Sequence, residues 1–433
     1  MKIRVFQAGK GDCLLLTAND GTRVLVDGGM RADYRKHVAP ALANLRRRDV
    51  GLDLVYVSHV DRDHISGVLQ LMDDLVAWRV FDYQRDTGNR DYPEPESPRP
   101  PEIRDLWHNA FHELVSANEG AIEKTLAARA SLLATADDQG ARFLAVEQRE
   151  LATSIAEGIE LSRRASPEQL GISVNRQFEG KLALVRDGAK PVQLGELKIT
   201  VIGPFPRDLR KLRDEWNVWL RESKEQHERL RERMQGDADR LAANDFDRLR
   251  RAITFVSGEL GDRAKVTTPN LASLMLLVEE SGRTVLLTGD GHWKNVLTGL
   301  EKARRLDAEG RLHVDVLKIQ HHGSENNLTP AFAKRITADR YLFCANGEHG
   351  NPDARIVQAI IDSRLGPKSL LSTHPNSNGR FKLQFNSSAE VTEGDEREHM
   401  REVEELATKA AEASSGRMSC TFLKRSSYEI SLN

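Results

Sequence analysis

The chain has 433 residues, 39% of them hydrophobic, enough to bury a large core in two or three domains or in one domain with insertions. Its 63 basic and 65 acidic residues leave a formal net charge of -2, which excludes a global basic footprint for nucleic acid and a polybasic attraction to anionic lipid. A polyanionic substrate would have to be held by local charge or by metal. No run of 18 apolar residues occurs and Met1 to Thr17 lacks the pattern of a secretory signal, so no membrane span or signal peptide is expected. Cys13, Cys344 and Cys420 are widely separated with no CxxC spacing, which points to reduced thiols and a cytoplasmic location.

Ile3 to Phe6, Cys13 to Thr17 and Arg23 to Val26 are short β-prone runs between glycine-containing turns, and Pro40 to Arg48 follows with helical spacing. Leu54 to Ser58 reads as a short buried strand, and the helical pattern Ile65 to Leu75 begins soon after it. His59 to His64 therefore falls in a strand-to-helix loop, where layered α/β proteins place their sites. Pro93, Pro95, Pro98, Pro100 and Pro101 mark a linker or loop, and mostly helical patterns continue to about Arg164. Gly195 to Pro204 is strand-like. Arg207 to Arg251 carries nearly balanced charge at helical spacing, the signature of a solvated helical hairpin more than of a nucleic-acid arm. Strands return at Leu271 to Val278, Thr284 to Thr288, Val314 to Ile319, Tyr341 to Cys344 and Tyr428 to Leu432.

The expected division is one half of a layered fold over 1–92, a mostly helical insertion over 93–194 and a returning core strand over 195–206. A charged helical hairpin over 207–256 and a second half with a C-terminal extension over 257–433 complete it.

Chemistry concentrates after the apolar strands. His59, Asp61, Asp63 and His64 lie within six residues, a density of nitrogen and carboxylate donors that solvated surface does not explain, and two metal ions are the natural reading. In an extended loop His59 and Asp61 point one way, while Asp63 and His64 at the helix start can turn to a second ion. Imidazole with carboxylate suits zinc and also admits manganese. Gly67 lets the helix pack closely. Two later segments have the same build: Thr284 to Thr288 ends in Gly289-Asp290-Gly291, and Val314 to Ile319 ends in Gln320-His321-His322-Gly323-Ser324. Each delivers a ligand-capable side chain at a strand's C-terminal end, and Asp290 could bridge two cations.

Val24-Leu25-Val26-Asp27-Gly28-Gly29, Ser58-His59-x-Asp61-x-Asp63-His64-x-x-Gly67, Leu286-Leu287-Thr288-Gly289-Asp290 and Leu317-Lys318-x-x-His321-His322-Gly323-Ser324 occur in this order. The set resembles metallo-β-lactamase-fold hydrolases, and the subgroup is similar to the hydrolase domain of ComEC-type competence proteins. Gln7 to Asp12, Asn270 to Leu274 and His349-Gly350-Asn351-Pro352 add to that likeness, which covers roughly residues 1–85 and 195–360. The resemblance implies an αβ/βα sandwich with a long, mostly helical insertion and a site where the two sheets meet. It implies that His59 and Asp61 serve one metal, Asp63 and His64 the other, and Asp290 both, with Asp27 orienting the ligands. Of the His pair, His322 is the expected ligand and His321 a substrate-side catalytic group, because neighbours on a strand cannot both face one ion; a loop could present either. His349 and Ser324 are expected substrate contacts. Two departures stand out: Asp61 replaces the usual His, as the competence-type subgroup tolerates, and Gly203 stands where a further His ligand is expected, leaving one ion weakly held.

Other histidines carry less. His108 and His112 are spaced i, i+4 on an expected helix beside Trp107 and Phe111, a packing pattern, and His374 and His292 have no motif of their own. The expected activity is metal-assisted hydrolysis, with Asp63 or Asp290 accepting the proton of the attacking water. The leading substrates are DNA, RNA or a small phosphodiester. The alternatives are a lactonase- or thioesterase-type ester hydrolase, and a catalytically impaired scaffold whose helical insertion binds a protein partner.

Overall fold

The computed structural model describes residues 1–109, 153, 156–207, 209–210 and 273–432. The first sheet has the order β15-β1-β2-β3-β4-β5-β6 and contains β1 (Lys2–Phe6), β2 (Leu14–Thr17), β3 (Arg23–Val26), β4 (Leu54–Tyr56), β5 (Asp105–Trp107), β6 (Ser173–Val174) and β15 (Ser427–Ser431). The second has the order β14-β13-β12-β11-β10-β9-β8-β7. It contains β7 (Val192–Leu194), β8 (Leu197–Gly203), β9 (Met275–Glu280), β10 (Arg283–Leu287), β11 (Leu312–Lys318), β12 (Ile336–Phe343), β13 (Phe381–Phe385) and β14 (Met418–Phe422).

Alternation along the strands builds three layers of core from short apolar runs. Val24, Val26, Leu54 and Tyr56 pack between the sheets against Val285, Leu287 and Val316, while Leu25 and Val55 point outward beneath helices. The outer face of the first sheet is covered by α1 (Ala39–Arg46) and α2 (Arg62–Asp86), which bury Leu42, Ile65, Val68 and Leu75. The second sheet is covered by α3 (Trp293–Lys302), α4 (Pro330–Arg335), α5 (Ala354–Leu365) and α6 (Gly394–Ala413), through Val296, Leu300, Phe332, Val357 and Val403. The layers are those of the metallo-β-lactamase αβ/βα sandwich.

Both sheets have a parallel segment, β3-β4-β5-β6 in one and β10-β11-β12-β13-β14 in the other. The C-terminal ends of β3, β4, β10 and β11 come together at one end of the sandwich, where open sheets present functional groups. There the Leu274 amide donates to the Ser58 carbonyl at 2.8 Å and the Tyr56 hydroxyl donates to the Leu274 carbonyl, tying the sheets beside the site.

The segment 93–194 is less an insertion than the sequence suggests. It gives β5 and β6 to the first sheet and β7 to the second. Trp107, expected on a helix, ends strand β5 and is buried between the sheets; three residues with both faces covered carry too short a pattern to be told from a helical turn. The segment after residue 380 extends both sheets: β13 and β14 join the second, and β15 pairs with β1 in the first. Phe111, His112, Trp216, Trp219 and nearly all of the Arg207 to Arg251 hairpin lie outside the described residues.

Candidate metal centre

The loop after β4 is fixed by close backbone contacts that only glycine permits. A Cβ on Gly67 would stand 2.0 Å from the Gly28 carbonyl oxygen, and one on Gly11 would stand 1.8 Å from the Asp63 carbonyl oxygen. The start of α2 therefore lies directly on the turn after β3, and the loop between β1 and β2 lies on Asp63. Asp61 precedes the helix in extended conformation, and Asp63 and His64 occupy its first turn, which turns the two halves of the motif to different sides.

Several side chains meet at Asp290. His59 Nε2 is 3.4 Å from Asp61 Oδ2 and 3.6 Å from Asp290 Oδ2. His64 Nε2 is 3.4 Å from Asp290 Oδ1 and 3.9 Å from Asp63 Oδ2. His322 Nε2 is 3.0 Å from Asp63 Oδ2 and 3.4 Å from Asp290 Oδ2. The structure thus brings together His59, Asp61, Asp63, His64, Asp290 and His322, the six residues expected to hold metal.

The Nε2 atoms of His59, His64 and His322 and Oδ1 of Asp290 are buried without a hydrogen-bond partner; even the 3.0 Å approach of His322 to Asp63 is not aligned as a hydrogen bond. Leaving a buried polar atom unsatisfied costs roughly 1–3 kcal/mol each, so four converging ones fit a cation that would use their lone pairs. Imidazole nitrogens with carboxylate oxygens suit zinc or manganese. His59, His64 and Asp290 form a group whose ligand atoms all lie within 4.8 Å of one another, as do Asp12, His64 and His322. The first is the better cation site, because Asp12 faces the Nδ1 atoms of its two histidines and is already paired with Lys318.

The outer nitrogens are held by protein acceptors. His64 Nδ1 donates to Asp27 Oδ2 at 2.9 Å, and His322 Nδ1 donates to the Cys344 carbonyl at 2.6 Å. The Ser58 hydroxyl donates to Asp27 at 2.8 Å and lies 3.1 Å from His59 Nδ1, so it can accept that N–H. In this arrangement all three imidazoles turn Nε2 lone pairs inward. Asp27 sits at φ 53°, a left-handed conformation rare for a residue other than glycine, and receives the Ser58 amide at 2.7 Å.

Without a cation the cluster is a knot of opposed charges. Burial alone would raise the Asp63 carboxyl, but His64 and His322 outweigh it and hold Asp63 low. Burial would raise Asp290 as well, yet His322, His64, His321 and His59 hold it well below the usual carboxylate range. Burial opposes the proton on His322, but Asp290 and Asp63 push it up to about 10. His64 moves in the same direction, with burial opposing and Asp290, Asp63 and Asp27 prevailing.

The His pair differs from the expectation for strand neighbours. His321 and His322 follow β11 in a tight turn with φ of 43° and 57°, and this consecutive left-handed geometry points both rings towards Asp290. His321 Nε2 is 3.7 Å from Asp290 Oδ2, and its Nδ1 donates to Asn327 Oδ1 at 2.7 Å. His321 is the more open of the two, its side chain 26% exposed against 7% for His322.

At the position of the expected further His, a Cβ on Gly203 would stand 2.1 Å from Met275 Cε, so the end of that methionine would have to move aside for any side chain. The same methionine's sulfur lies 2.2 Å from a Cβ placed on Gly291, so Met275, buried in β9, fills the space between these two glycines beside Asp290.

The other candidates separate. His349 is exposed at the rim, its Nε2 3.5 Å from Lys10 Nζ and 3.5 Å from Glu348 Oε1. Ser324, expected to touch substrate, is buried, and its hydroxyl faces the Asn326 amide at 3.4 Å. His374 stacks on His313 near the start of β11, the end of that strand away from the site. His292 caps α3, accepting from the Lys294 amide, and His108 is buried just after β5. Sequence reasoning missed the roles of Asp12, Ser58 and Lys318 around the cluster; the signal was that each lies inside or next to a quoted motif.

Residues 7–106 match the family model described as the metallo-beta-lactamase superfamily, a stretch that contains Asp27 and the whole His59 to His64 loop. The fold is that of a metallo-β-lactamase-type domain, and it carries grouped His and Asp side chains that could hold metal. That superfamily is generally hydrolytic and typically binds divalent metals. A search of curated proteins found no match to this chain. Among the described residues no helix is long and apolar enough to cross a membrane.

Proposed function

We propose that the protein is a metal-dependent phosphodiesterase, with nuclease activity on DNA or RNA favoured over action on small phosphodiesters. The observation that carries the hydrolase reading is the convergence on Asp290 of three partnerless imidazole nitrogens, from His59, His64 and His322. The phosphodiester preference is supported by the sequence likeness to a DNA-processing hydrolase domain and by Lys10 and His349 at the rim, which share Glu348 as partner and would have to turn from it to contact an anion.

Divalent ions, zinc or manganese, would be held by Asp63, His64, Asp290 and His322 on one side and by His59, Asp61 and Asp290 on the other. When bound they would acidify water and polarise the phosphoryl oxygen. Asp63 is partly open to solvent and placed to take up the proton of the attacking water at Oδ2. His321, oriented by Asn327, presents Nε2 to the same space and can deliver a proton to the leaving oxygen. Buried Asp27 fixes the imidazole tautomers and takes no part in proton transfer to substrate.

The position of His59 and Asp61 has the fewer protein donors, because Gly203 stands where the family resemblance implies a further His. That same observation favours a second reading, an impaired enzyme acting as a scaffold. The test is hydrolysis of bis-p-nitrophenyl phosphate and single-stranded DNA against a lactone and a β-lactam, each with zinc or manganese. Turnover of the phosphodiesters supports the proposal, turnover of the lactone or β-lactam alone replaces it with ester or amide hydrolysis, and no turnover with ions bound favours the scaffold.

A further inference from the structure

Beneath the candidate site lies a buried ion pair that joins the two halves of the sandwich. Lys318, the last residue of β11, is 2% exposed, and so is Asp12, in the loop between β1 and β2. The Lys318 ammonium contacts Asp12 Oδ2, donates to the Gly289 carbonyl at 3.1 Å and stands 3.7 Å from Asp290 Oδ1. On its other side Asp12 Oδ1 is 3.5 Å from His322 Nδ1, and its Oδ2 is 3.8 Å from His64 Nδ1. The pair therefore lies beside Asp290 at one end and, in electrostatic contact without a hydrogen bond, beside the outer nitrogens of two imidazoles at the other.

A buried ion pair of this kind is poor evidence for stability, because desolvating two charges offsets much of their attraction. Its place explains it better. Asp290 arrives on the turn after β10 and His322 on the turn after β11, both from the second sheet, whereas His64 arrives on α2 from the first half. Side chains from separate halves need a common reference to keep donor atoms within a few tenths of an ångström, and hydrogen bonding around the ligands supplies it in metal sites.

We propose that Lys318, paired with Asp12, is a positioning residue: a built-in cation that sets Asp290 through the Gly289 carbonyl and, through Asp12, sets His64 and His322 for the ion they receive. The inference rests on the metal reading of this site. Removal of both charges leaves the net charge unchanged and keeps neither buried ion unpaired, so the double variant Asp12→Asn/Lys318→Met isolates the geometric role. Asp12→Asn alone is a second variant, with Lys318 kept on the Gly289 carbonyl.

The experiment titrates cobalt(II) into the full chain, reading affinity by chelator competition and ligand geometry from the visible absorption bands of the bound ion. Thermal melting without cobalt reports the fold. The expected result is that the double variant melts close to the wild type but binds cobalt about ten to a hundred times more weakly, with shifted bands. Cobalt affinity within twofold of the wild type and superimposable bands, in either folded variant, would overturn the inference. So would collapse of both variants, which would make the pair a purely structural clasp. A wild-type chain that takes up no cobalt would instead overturn the metal reading, and the inference with it.

Discussion

His64 donates from Nδ1 to Asp27 Oδ2 at 2.9 Å while its Nε2 faces Asp290 Oδ1 at 3.4 Å. Asp27 comes from the end of β3 and His64 from the first turn of α2, so one hydrogen bond decides which nitrogen of the ring is available to a cation. Replacing Asp27 with Asn keeps the shape and removes the charge. The expected outcome is a folded protein whose zinc affinity falls about 10- to 100-fold, measured by competition with a chromophoric chelator.

The contact between Gly28 and Gly67 makes a prediction about stability. A methyl group on Gly67 would strike the Gly28 carbonyl, which belongs to backbone and cannot swing aside. Gly67→Ala should cost about 1–3 kcal/mol by overpacking, read from the midpoint of denaturant unfolding. Because α2 carries Asp63 and His64, the same substitution should also lower ion affinity.

Met275 and Gly203 allow a gain-of-site experiment. Gly203→His alone places a ring against Met275 and should destabilise the fold. Gly203→His with Met275→Ala opens the space and supplies a second imidazole to the side of His59 and Asp61. The double variant should hold the second zinc more tightly than the wild type, as counted by mass spectrometry after dialysis; unchanged ion content would show that residue 203 does not face that position.

Ion affinity should also depend on pH with a definite sign. In the ion-free chain Asp290 and Asp63 overcome burial and push His322 up to about 10, from an ordinary value of 6.5, and His64 moves upward too. Their protons contribute stability to the ion-free fold that is complete below the unfolded value and is lost as pH rises through the raised one. An ion must displace those protons, so its affinity falls as pH falls from 9 to 6, by about tenfold per pH unit for each proton displaced. Calorimetry in buffers of different ionisation enthalpy would count the protons; binding with no proton release would contradict this.

Much of this site is legible in the sequence because its ligands follow short apolar strands. Arg23 to Val26, Leu54 to Ser58, Thr284 to Thr288 and Val314 to Ile319 are recognisable as apolar strands, and the polar residues after each fall at one end of the sandwich. What was hidden depends on contacts distant in sequence. Strand β5 has three residues and reads as part of a helical stretch until β4 pairs with it. The turn that aims both His321 and His322 at Asp290 rests on two left-handed residues, a conformation that their side chains do not advertise. Asp12 and Lys318 are 306 positions apart by number, 318 minus 12, and only the folded chain shows that they meet.

The central claim, that two ion positions share Asp290, is tested most directly by the ion content of Asp290→Ala. Asp290 meets His59 and His322 at Oδ2, at 3.6 and 3.4 Å, and His64 at Oδ1, at 3.4 Å. Zinc-loaded wild type and variant would be dialysed together and counted by inductively coupled plasma mass spectrometry, with circular dichroism confirming that both are folded. The variant is expected to lose zinc from both positions and with it the hydrolysis of bis-p-nitrophenyl phosphate. A folded variant that retains the wild-type zinc content would contradict it, leaving Gly289-Asp290-Gly291 as a turn without a share in the site.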